Sequence, residues 1–498
     1  MSREEDLIQA YLRRGLSRRD ALKAMGLAMT AGIIAACSPA ALGSPSASSA
    51  PSDGPAGGSA APNPSPLASG SVNGLNLSEF TKANVDWQQF KDVQLAIAML
   101  SSPPATDLWK DAIHAFEILS GAKVSITELP QNELDTKVFA DLSSRGGAFD
   151  VVNVEYALLP GYAKPGLIEV LDSYIADPKV TDPDWLALSD IYPGVLAAGQ
   201  SANQQFGLPV TSESTILAYR KDIITKAPDT YDELMTAAIA AKKPDMEGIA
   251  LRGQRGAGMN VYTWAGFLHG FGGDFVSHYP DDLNPTVNTP AAVQAVQYYA
   301  DILQKAGPAG AANYTNEETQ LDAENGKTAM IIEWSGCPVL IDSPKNSRSA
   351  GKWGFAQVPQ GPNGRWPAIF SWTFAVNANS KNKAAAWGLI QAMVNPAAAI
   401  HNSTGLIVPT RKSVADSEVY KTASRAGIAG FDTWEPVDAE ALSTAKPDYV
   451  PRIAHWQEFG DRVGIALQSV ISGQSDAQAA MDAAQKDITS LLKTAGMI

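Results

Sequence analysis

Short apolar runs alternate with helical periodicity in the first part of the folded region. The runs VQLAIAML, AKVSITELP and FDVVNV predict buried strands at 93–100, 122–130 and 149–154. Between them, apolar residues recur at helical spacing over 106–121 and 134–147, and both segments end in glycine. The order βαβαβ is typical of a doubly wound α/β sheet, in which ligands bind beyond the carboxyl ends of the strands.

The rest of the chain also contains segments with helical periodicity and strand-like apolar runs, in a different order. Helical periodicity predicts further helices at 229–243, 262–275, 289–307 and 381–394 and in the tail from about 450. Strand-like runs lie at 248–253, 327–334, 352–359 and 371–378.

Extended stretches at 207–214 and 368–376 separate these groups of elements and are the candidate hinges. The sequence therefore predicts two doubly wound α/β lobes joined by a hinge of several strands. The predicted bounds are 88–210 plus 374–406 for lobe 1, and 211–373 plus 407–498 for lobe 2.

Residues 1–37 have the pattern of an export signal. An arginine pair at 18–19 precedes the apolar run 24–36, which is shorter than the about 20 residues that span a bilayer. A charged start and a small-residue end are typical of a cleavable signal, and the paired arginines indicate the twin-arginine type. The end IAAC resembles a bacterial lipobox, so Cys37 is the predicted lipidation site; an uncleaved anchor helix is the alternative.

Residues 38–75 are predicted to be a disordered linker. Ser, Pro, Ala and Gly dominate them, and Asp53 is their one charged residue. A flexible coil of this length has a typical end-to-end distance of roughly 30 Å. If Cys37 carries a lipid, Cys337 is left as a lone thiol; a disulfide between the two cysteines is the arithmetic alternative.

Composition and charge narrow the classes of partner. A chain of 498 residues is long enough for about two or three domains. The formal net charge of −14 and the absence of a Lys/Arg run make a nucleic-acid partner unexpected. The five histidines show no metal-binding spacing, so neither a metal nor a cofactor is expected.

The stretch NGKTAMIIEW raises the possibility of a phosphate-binding loop. Such a loop needs a further glycine five residues before Gly326, where this chain has Leu321, and it must lead into a helix. The apolar run after Thr328 predicts a strand instead. Residues 326–328 are therefore interpreted as the start of a strand that delivers Trp334 to a ligand cleft.

Several stretches in order from about residue 92 to 495 resemble the family 1 extracellular solute-binding proteins of ABC importers. They are AFEILSGAKVSI, FDVVNVEY, GYAKPGLIEVLDSYI, FGLPVTSESTILAYRKDII, YDELMTAA, NGKTAMIIEW and GLIVPTRKSV. Within the family, LPVTSESTILAYRKD, GIALRGQRGAGMN and FSWTFAV are most similar to the polyol-binding subgroup of the sorbitol and mannitol type. That subgroup tends to carry a second tryptophan where this chain has Phe370-Ser371.

The resemblance implies a periplasmic-binding-protein-like fold and a transport function without catalysis. The protein would capture a polyol, monosaccharide or oligosaccharide by closing two lobes on it, and would deliver it to an ABC permease with a cytoplasmic ATPase. A monomer is expected, held at the outer face of the cell membrane or in the periplasm by its lipid.

A sugar or polyol site needs flat aromatic surfaces and polar groups at fixed positions. By this logic and by the resemblance, the candidate ligand contacts are Glu155, Tyr156, Glu213, Arg252, Asn260, Trp334, Trp372 and Arg411. For each, packing in the core or a structural polar contact is the alternative. Trp264 is expected to pack in the core, and Trp456 is left open.

Two other functions remain open at the level of sequence. An extracellular glycoside-processing enzyme would need a pair of carboxylates flanking one bond, and no local pair stands out. A binder of another solute, such as ferric iron, an amino acid, a polyamine or a lipid, is the second. Tyr298-Tyr299 resembles the adjacent tyrosines of some iron binders, but lies within a predicted helix.

Overall fold

Strands from distant parts of the chain combine into two principal sheets. The computed structural model describes residues 70–101, 105–405, 408–446 and 448–498. The predicted export signal, Cys37 and the linker up to residue 69 lie outside these residues. The strands are β1 Ser71–Val72, β2 Leu75–Asn76, β3 Gln94–Leu100, β4 Lys123–Leu129, β5 Val151–Glu155, β6 Gln200–Ser201, β7 Gln204–Gln205, β8 Gly207–Pro209, β9 Thr215–Arg220, β10 Val276–His278, β11 Asp282–Pro285, β12 Met330–Trp334, β13 Trp353–Gln357 and β14 Trp372–Val376.

Helices surround both sheets. They are α1 Leu77–Phe80, α2 Ala105–Ser120, α3 Gln131–Ser144, α4 Leu159–Ala163, α5 Asp172–Ala176, α6 Pro183–Leu186, α7 Pro193–Ala198, α8 Tyr231–Ala241, α9 Asn260–Gly270, α10 Pro290–Ala306, α11 Asn316–Glu324, α12 Pro338–Ile341, α13 Lys383–Val394, α14 Pro396–Ser403, α15 Lys412–Asp416, α16 Glu418–Gly427, α17 Phe431–Thr444, α18 Trp456–Ile471 and α19 Ala477–Thr494. Short 3₁₀ turns lie at Trp87–Phe90, Leu188–Asp190 and Ala311–Asn313. Among the described residues, no helix combines the length and apolar character needed to cross a membrane.

The first sheet is mixed and has the order β4-β3-β5-β14-β8. β3 runs parallel to β4 and β5, as the βαβαβ pattern predicts. β14 enters from about the middle of the second half of the chain and pairs antiparallel with both β5 and β8. All five residues of β5 and all five of β14 are buried, because helices cover both faces of this sheet.

The second sheet is antiparallel in its three named strands, with β9 between β12 and β13. The run 248–253, for which the sequence predicts a strand, forms only an isolated parallel bridge, from Ala250 to Ile331. Glu247, the residue before the run, forms another with Thr328. An apolar run carries no information about the direction of its partner, so the sequence could not separate these arrangements. The prediction of two α/β lobes is confirmed, but the second is not a purely parallel sheet.

Two extended crossings join the sheets and are bonded to each other. Residues 210–214 lead from β8 to β9, and residues 358–371 lead from β13 back to β14. The backbone N–H groups of Glu213 and Phe370 each donate to the other's carbonyl oxygen at 2.9 Å. Ser214 Oγ also donates to the Ala368 carbonyl at 2.7 Å. The predicted hinges at 207–214 and 368–376 thus overlap these crossings.

The linker predicted for 38–75 is too long at its C-terminal end. Residues 71–76 form a small antiparallel hairpin of β1 and β2. Asn73, at its turn, donates through Nδ2 to Asp111 Oδ1 of α2 at 2.7 Å. Asp111 also contacts His401 Nε2 of α14 at 2.9 Å. The hairpin is therefore anchored to the first lobe.

Residues 411–427 also differ from the predicted division into lobes. The sequence places them in lobe 2, but α15 and α16 pack against α14 of the first lobe. Arg411 donates to the carbonyl oxygens of Leu186, Ala187 and Val394 at 2.7–3.1 Å. The chain returns to the second lobe at α17, which packs on β13.

Candidate ligand-binding site

A cleft with a volume of about 410 Å³ is lined by both lobes and by the two crossings. Its floor includes Thr211, Ser212 and Glu213 of the first crossing and Phe370 of the second. A cleft of this size lies within the range of about 300–1,000 Å³ that small-molecule sites occupy. The cleft is therefore the place where a small ligand could contact both lobes at once.

Aromatic side chains supply the flat surfaces of the cleft. They are Trp109, Tyr262, Trp334, Phe370 and Trp372. The rings of Phe370 and Trp372 are 6.1 Å apart in an edge-on arrangement, and Tyr262 is perpendicular to Phe370 at 6.0 Å. Such surfaces suit the C–H faces of a sugar or polyol.

The position of Trp334 depends on the residue two places later. Trp334 ends β12, opposite Thr215 of β9, and its ring is half-buried in the cleft. A Cβ added to Gly336 would lie 2.0 Å from Cζ3 of that ring. Gly336 therefore makes room for the orientation of the Trp334 ring.

Arg252 lies in the cleft but is already paired. Its Nε donates to Glu333 Oε1 at 2.7 Å, and its Nη2 donates to Glu333 Oε2. Its Nη1 donates to the Gly258 carbonyl at 2.9 Å, and its guanidinium lies 4.9 Å from the centroid of the Tyr262 ring. Since Glu333 is fully buried, this ion pair neutralises both charges within the wall of the cleft.

Glu213 is the carboxyl group that the cleft leaves without a partner. It is half-buried, and its side chain makes no hydrogen bond or ion pair with the described residues. Burial raises the pKa of Glu213 to about 7; Arg252 opposes this, while Glu333 and Asp438 add to it. At neutral pH the group can therefore either donate to or accept from a ligand hydroxyl.

The raised pKa of Glu213 predicts a dependence of stability on pH. In the unfolded chain the carboxyl ionises near pH 4.5, but in the folded protein only near pH 7. Its contribution to the free energy of unfolding is therefore fully present below about pH 4.5 and is lost as the pH rises through 7. We expect Glu213→Gln to lessen the decline in stability between pH 5 and pH 8, measured by urea unfolding.

Glu155 also makes stability depend on pH, in the same direction as Glu213. Its pKa is raised to about 8 by burial, with Asp135 adding to the shift, so it too weakens the fold as the pH rises. Glu213→Gln should therefore reduce the slope without abolishing it. Identical slopes in the wild type and the variant would contradict the raised pKa of Glu213.

Glu155 and Tyr156 lie behind the cleft rather than in its lining. Glu155 is opposite Trp372 in the β5–β14 ladder and accepts a 3.0 Å hydrogen bond from Gln131 Nε2, whose side chain does line the cleft. Tyr156 packs edge-on against Phe370 at 5.6 Å. In this structure both residues support cleft residues, and Glu155 fixes the orientation of Gln131.

Asn260 and Arg411, both expected as ligand contacts, are not brought to the cleft. Asn260 is fully buried and donates through Nδ2 to the carbonyl oxygens of Gly253 and Gly464 at 3.2 and 2.9 Å. Arg411 is fully buried among backbone carbonyls of the first lobe. Of the eight predicted residues, the structure brings four together in the lining, namely Glu213, Arg252, Trp334 and Trp372.

The lining of the cleft also contains residues that the sequence did not single out. They include Trp109, Gln131, Tyr262, Gln320 and Phe370. Trp109 fits the apolar periodicity of α2, which indicates core packing as readily as a ligand surface. The two glutamines lie on helices and belong to no motif, so no signal in the sequence singles them out.

The described residues hold no group of three or more His, Cys, Asp or Glu arranged to bind a metal. The Tyr298 hydroxyl donates to the Tyr231 carbonyl at 2.6 Å, and the Tyr299 hydroxyl to the Arg252 carbonyl at 2.8 Å. These adjacent tyrosines are thus structural. Trp264, expected in the core, is fully buried there, and Trp456 packs beside Phe275 at 5.3 Å.

A family model described as bacterial extracellular solute-binding protein matches residues 102–400, more than half of the chain. An erythritol/L-threitol-binding protein of Mycolicibacterium smegmatis is 26% identical, over 96% of each chain. A mannitol-binding protein of Pseudomonas aeruginosa is 25% identical over 74% of this chain and 86% of its own length.

A solved structure of a solute-binding protein is also similar to this chain. An ABC transporter solute-binding protein from Agrobacterium radiobacter K84, in complex with ribitol, superposes with a TM-score of 0.71. It is 26% identical, and the match covers 81% of this chain and 99% of that one.

Proposed function

The chain belongs to the family of bacterial extracellular solute-binding proteins, and we propose that it captures a small neutral polyol or sugar for an ABC importer. The observation that carries the proposal is the cleft lined by aromatic rings of both lobes and of the second crossing, with Glu213 at its floor. Relatives named for erythritol, threitol and mannitol, and a structural neighbour in complex with ribitol, support a polyol.

The electrostatics of the cleft favour a neutral ligand over an anion. Arg252 is the only Lys or Arg among the described residues that line it, and its charge is neutralised by Glu333. Glu213 adds a carboxyl without a counterion. An amino acid or a sugar acid would bring a carboxylate into a cleft with no free cation to pair with it, which costs desolvation energy.

The two crossings supply the proposed mechanism. A ligand that contacts one lobe first would be enclosed when the other lobe rotates about residues 210–214 and 358–371. The closed form would then dock on a permease with its ATPase, without chemical change to the ligand. We also propose that lipidated Cys37 and the linker hold a monomer at the outer face of the membrane or in the periplasm.

Calorimetric titration of the full chain tests the ligand class. The panel is erythritol, ribitol, mannitol, maltose, gluconate and glutamate, each recovered afterwards to check that it is chemically unchanged. We expect binding with a Kd of about 1 μM or tighter to at least one neutral polyol or sugar and none to the two anions. Binding of an anion alone, cleavage of maltose, or no binding by a folded sample would overturn the proposal.

The contact between Gly336 and Trp334 makes a further prediction for this ligand. In Gly336→Ala the added Cβ must displace the Trp334 ring, so we expect affinity to fall by about tenfold, the equivalent of 1.4 kcal/mol. Gly194→Ala is the matched control, because nothing lies within 4 Å of the Cβ added there. Calorimetry on both variants decides; equal affinities would show that the orientation of Trp334 is irrelevant to binding.

A further inference from the structure

Three residues of the cleft lining carry a buried polar side-chain atom without a hydrogen-bond partner among the described residues: Trp109, Tyr262 and Gln320. Trp109 of α2, in the first lobe, is 1% exposed, and Gln320 of α11, in the second, is 5% exposed. Neither Trp109 Nε1 nor Gln320 Nε2 has a hydrogen-bond partner among the described residues. Trp109 and Gln320 thus belong to different lobes, and both residues lie on the lining of the same cleft.

A buried hydrogen-bond donor without a partner destabilises the folded protein, so such donors are uncommon. Leaving such a group unsatisfied costs about 1–3 kcal/mol, and most buried polar groups are paired. Trp264 Nε1 is also unpaired, but Trp264 packs edge-on against Phe275 at 5.9 Å and lies outside the cleft lining. The positions of Trp109, Tyr262 and Gln320 on the lining separate them from an unpaired group in the core. The Tyr262 hydroxyl can both donate and accept, whereas Trp109 Nε1 and Gln320 Nε2 can only donate.

We propose that Trp109 Nε1 and Gln320 Nε2 each donate a hydrogen bond to a different hydroxyl oxygen of one bound ligand, and so determine which polyols the cleft accepts. The proposal rests on the proposed function and goes beyond it by naming the residues that select among polyols. A hydroxyl oxygen accepts from either donor without adding charge. A ligand that lacks one of these hydroxyls leaves a donor unpaired, and sites of this kind reject such analogues strongly.

The positions of the two donors also couple the choice of polyol to the closure of the two lobes. Because α2 and α11 belong to different lobes, a ligand satisfies both donors only when it contacts both lobes. A polyol with a hydroxyl at only one of the two positions would bind one lobe without the second bond that favours enclosure. Ligand affinity should then depend on whether both of these hydroxyls are present, rather than on the total number of hydroxyls in the ligand.

The experiment compares deoxy analogues in matched variants. Trp109→Phe and Gln320→Met remove one donor each and keep an apolar side chain in place, while Trp264→Phe removes an unpaired indole N–H outside the cleft. The full chain and each variant are titrated with the polyol that binds best and with its monodeoxy analogues. Thermal unfolding of each variant establishes that it is folded.

We expect Trp109→Phe and Gln320→Met each to weaken binding of the polyol by about tenfold. In each variant, a different deoxy analogue should lose the penalty that it shows with the wild type. Trp264→Phe should leave both affinity and penalties unchanged. Unchanged penalties in both cleft variants would overturn the proposal while binding by the wild type stands; a wild type that binds no polyol would overturn the proposed function and this inference together.

Discussion

Replacing Arg252 by methionine is expected to lower the free energy of unfolding by about 3–5 kcal/mol, the cost of removing one partner from a buried ion pair. Glu333, its partner, is fully buried on β12, so the variant must bury an unpaired carboxylate or protonate it. The Gly258 carbonyl would also lose its donor. Urea unfolding at neutral pH measures the loss.

Two further variants separate this cost from general damage. Arg425→Met removes a guanidinium that pairs with Asp432 at the surface at 3.1 Å, where the side chains are 50% and 77% exposed; it should change stability by less than about 1 kcal/mol. Adding Glu333→Leu to Arg252→Met removes the stranded carboxylate and should restore part of the stability. A loss below about 1 kcal/mol in Arg252→Met would mean that the pair is not held as the structure has it.

Replacing Trp334 by alanine is expected to weaken ligand binding by about a hundredfold while the protein stays folded. Truncating an aromatic anchor in a desolvated site typically costs about 2–4 kcal/mol of binding energy. The ring is half-buried at the end of β12, so its loss removes less of the hydrophobic core than that of Trp372, which is 4% exposed. Calorimetry with the polyol of the wild type measures the effect.

Trp185→Ala is the control for the loss of a half-buried indole. Trp185 packs against Phe80 and Trp87 of the first lobe at 6.1 and 5.7 Å and donates to the Glu79 carbonyl at 2.9 Å. We expect this variant to lose stability but to bind ligand as the wild type does. Equal binding in the two variants would remove Trp334 from the site, and equal loss would point to a general effect on the fold.

The sequence predicted those cleft residues whose positions follow from the order of the elements along the chain. Trp334 and Trp372 lie in apolar strands, and Glu213 lies in an extended crossing between two sets of elements. The strand patterns and the family resemblance were therefore enough to select them. Asn260 and Arg411 do not lie in the lining of this cleft. The sequence could not show this, because a polar side chain beside a glycine or proline turn looks the same in sequence whether it faces a ligand or a backbone carbonyl. Only the packed structure shows that their donors are already used.

The other features that the sequence did not predict depend on contacts between residues that are far apart in the chain. The direction of β12, β9 and β13 depends on which strands meet, and their apolar pattern is compatible with either direction. The positions of Trp109 and Gln320 on the cleft likewise depend on how α2 and α11 are rotated. A helical period gives a buried face but does not say which part of that face borders empty space.

The place of β14 in the first sheet has a consequence for synthesis of the protein. A nascent chain that ends before residue 372 has β3, β4 and β5, but β5 keeps an open edge and β8 has no neighbour in the sheet, because β14 lies between them. The first lobe is thus completed only after most of the second has been made. Pairing over such sequence distances slows folding, and the open edge exposes the chain to aggregation meanwhile.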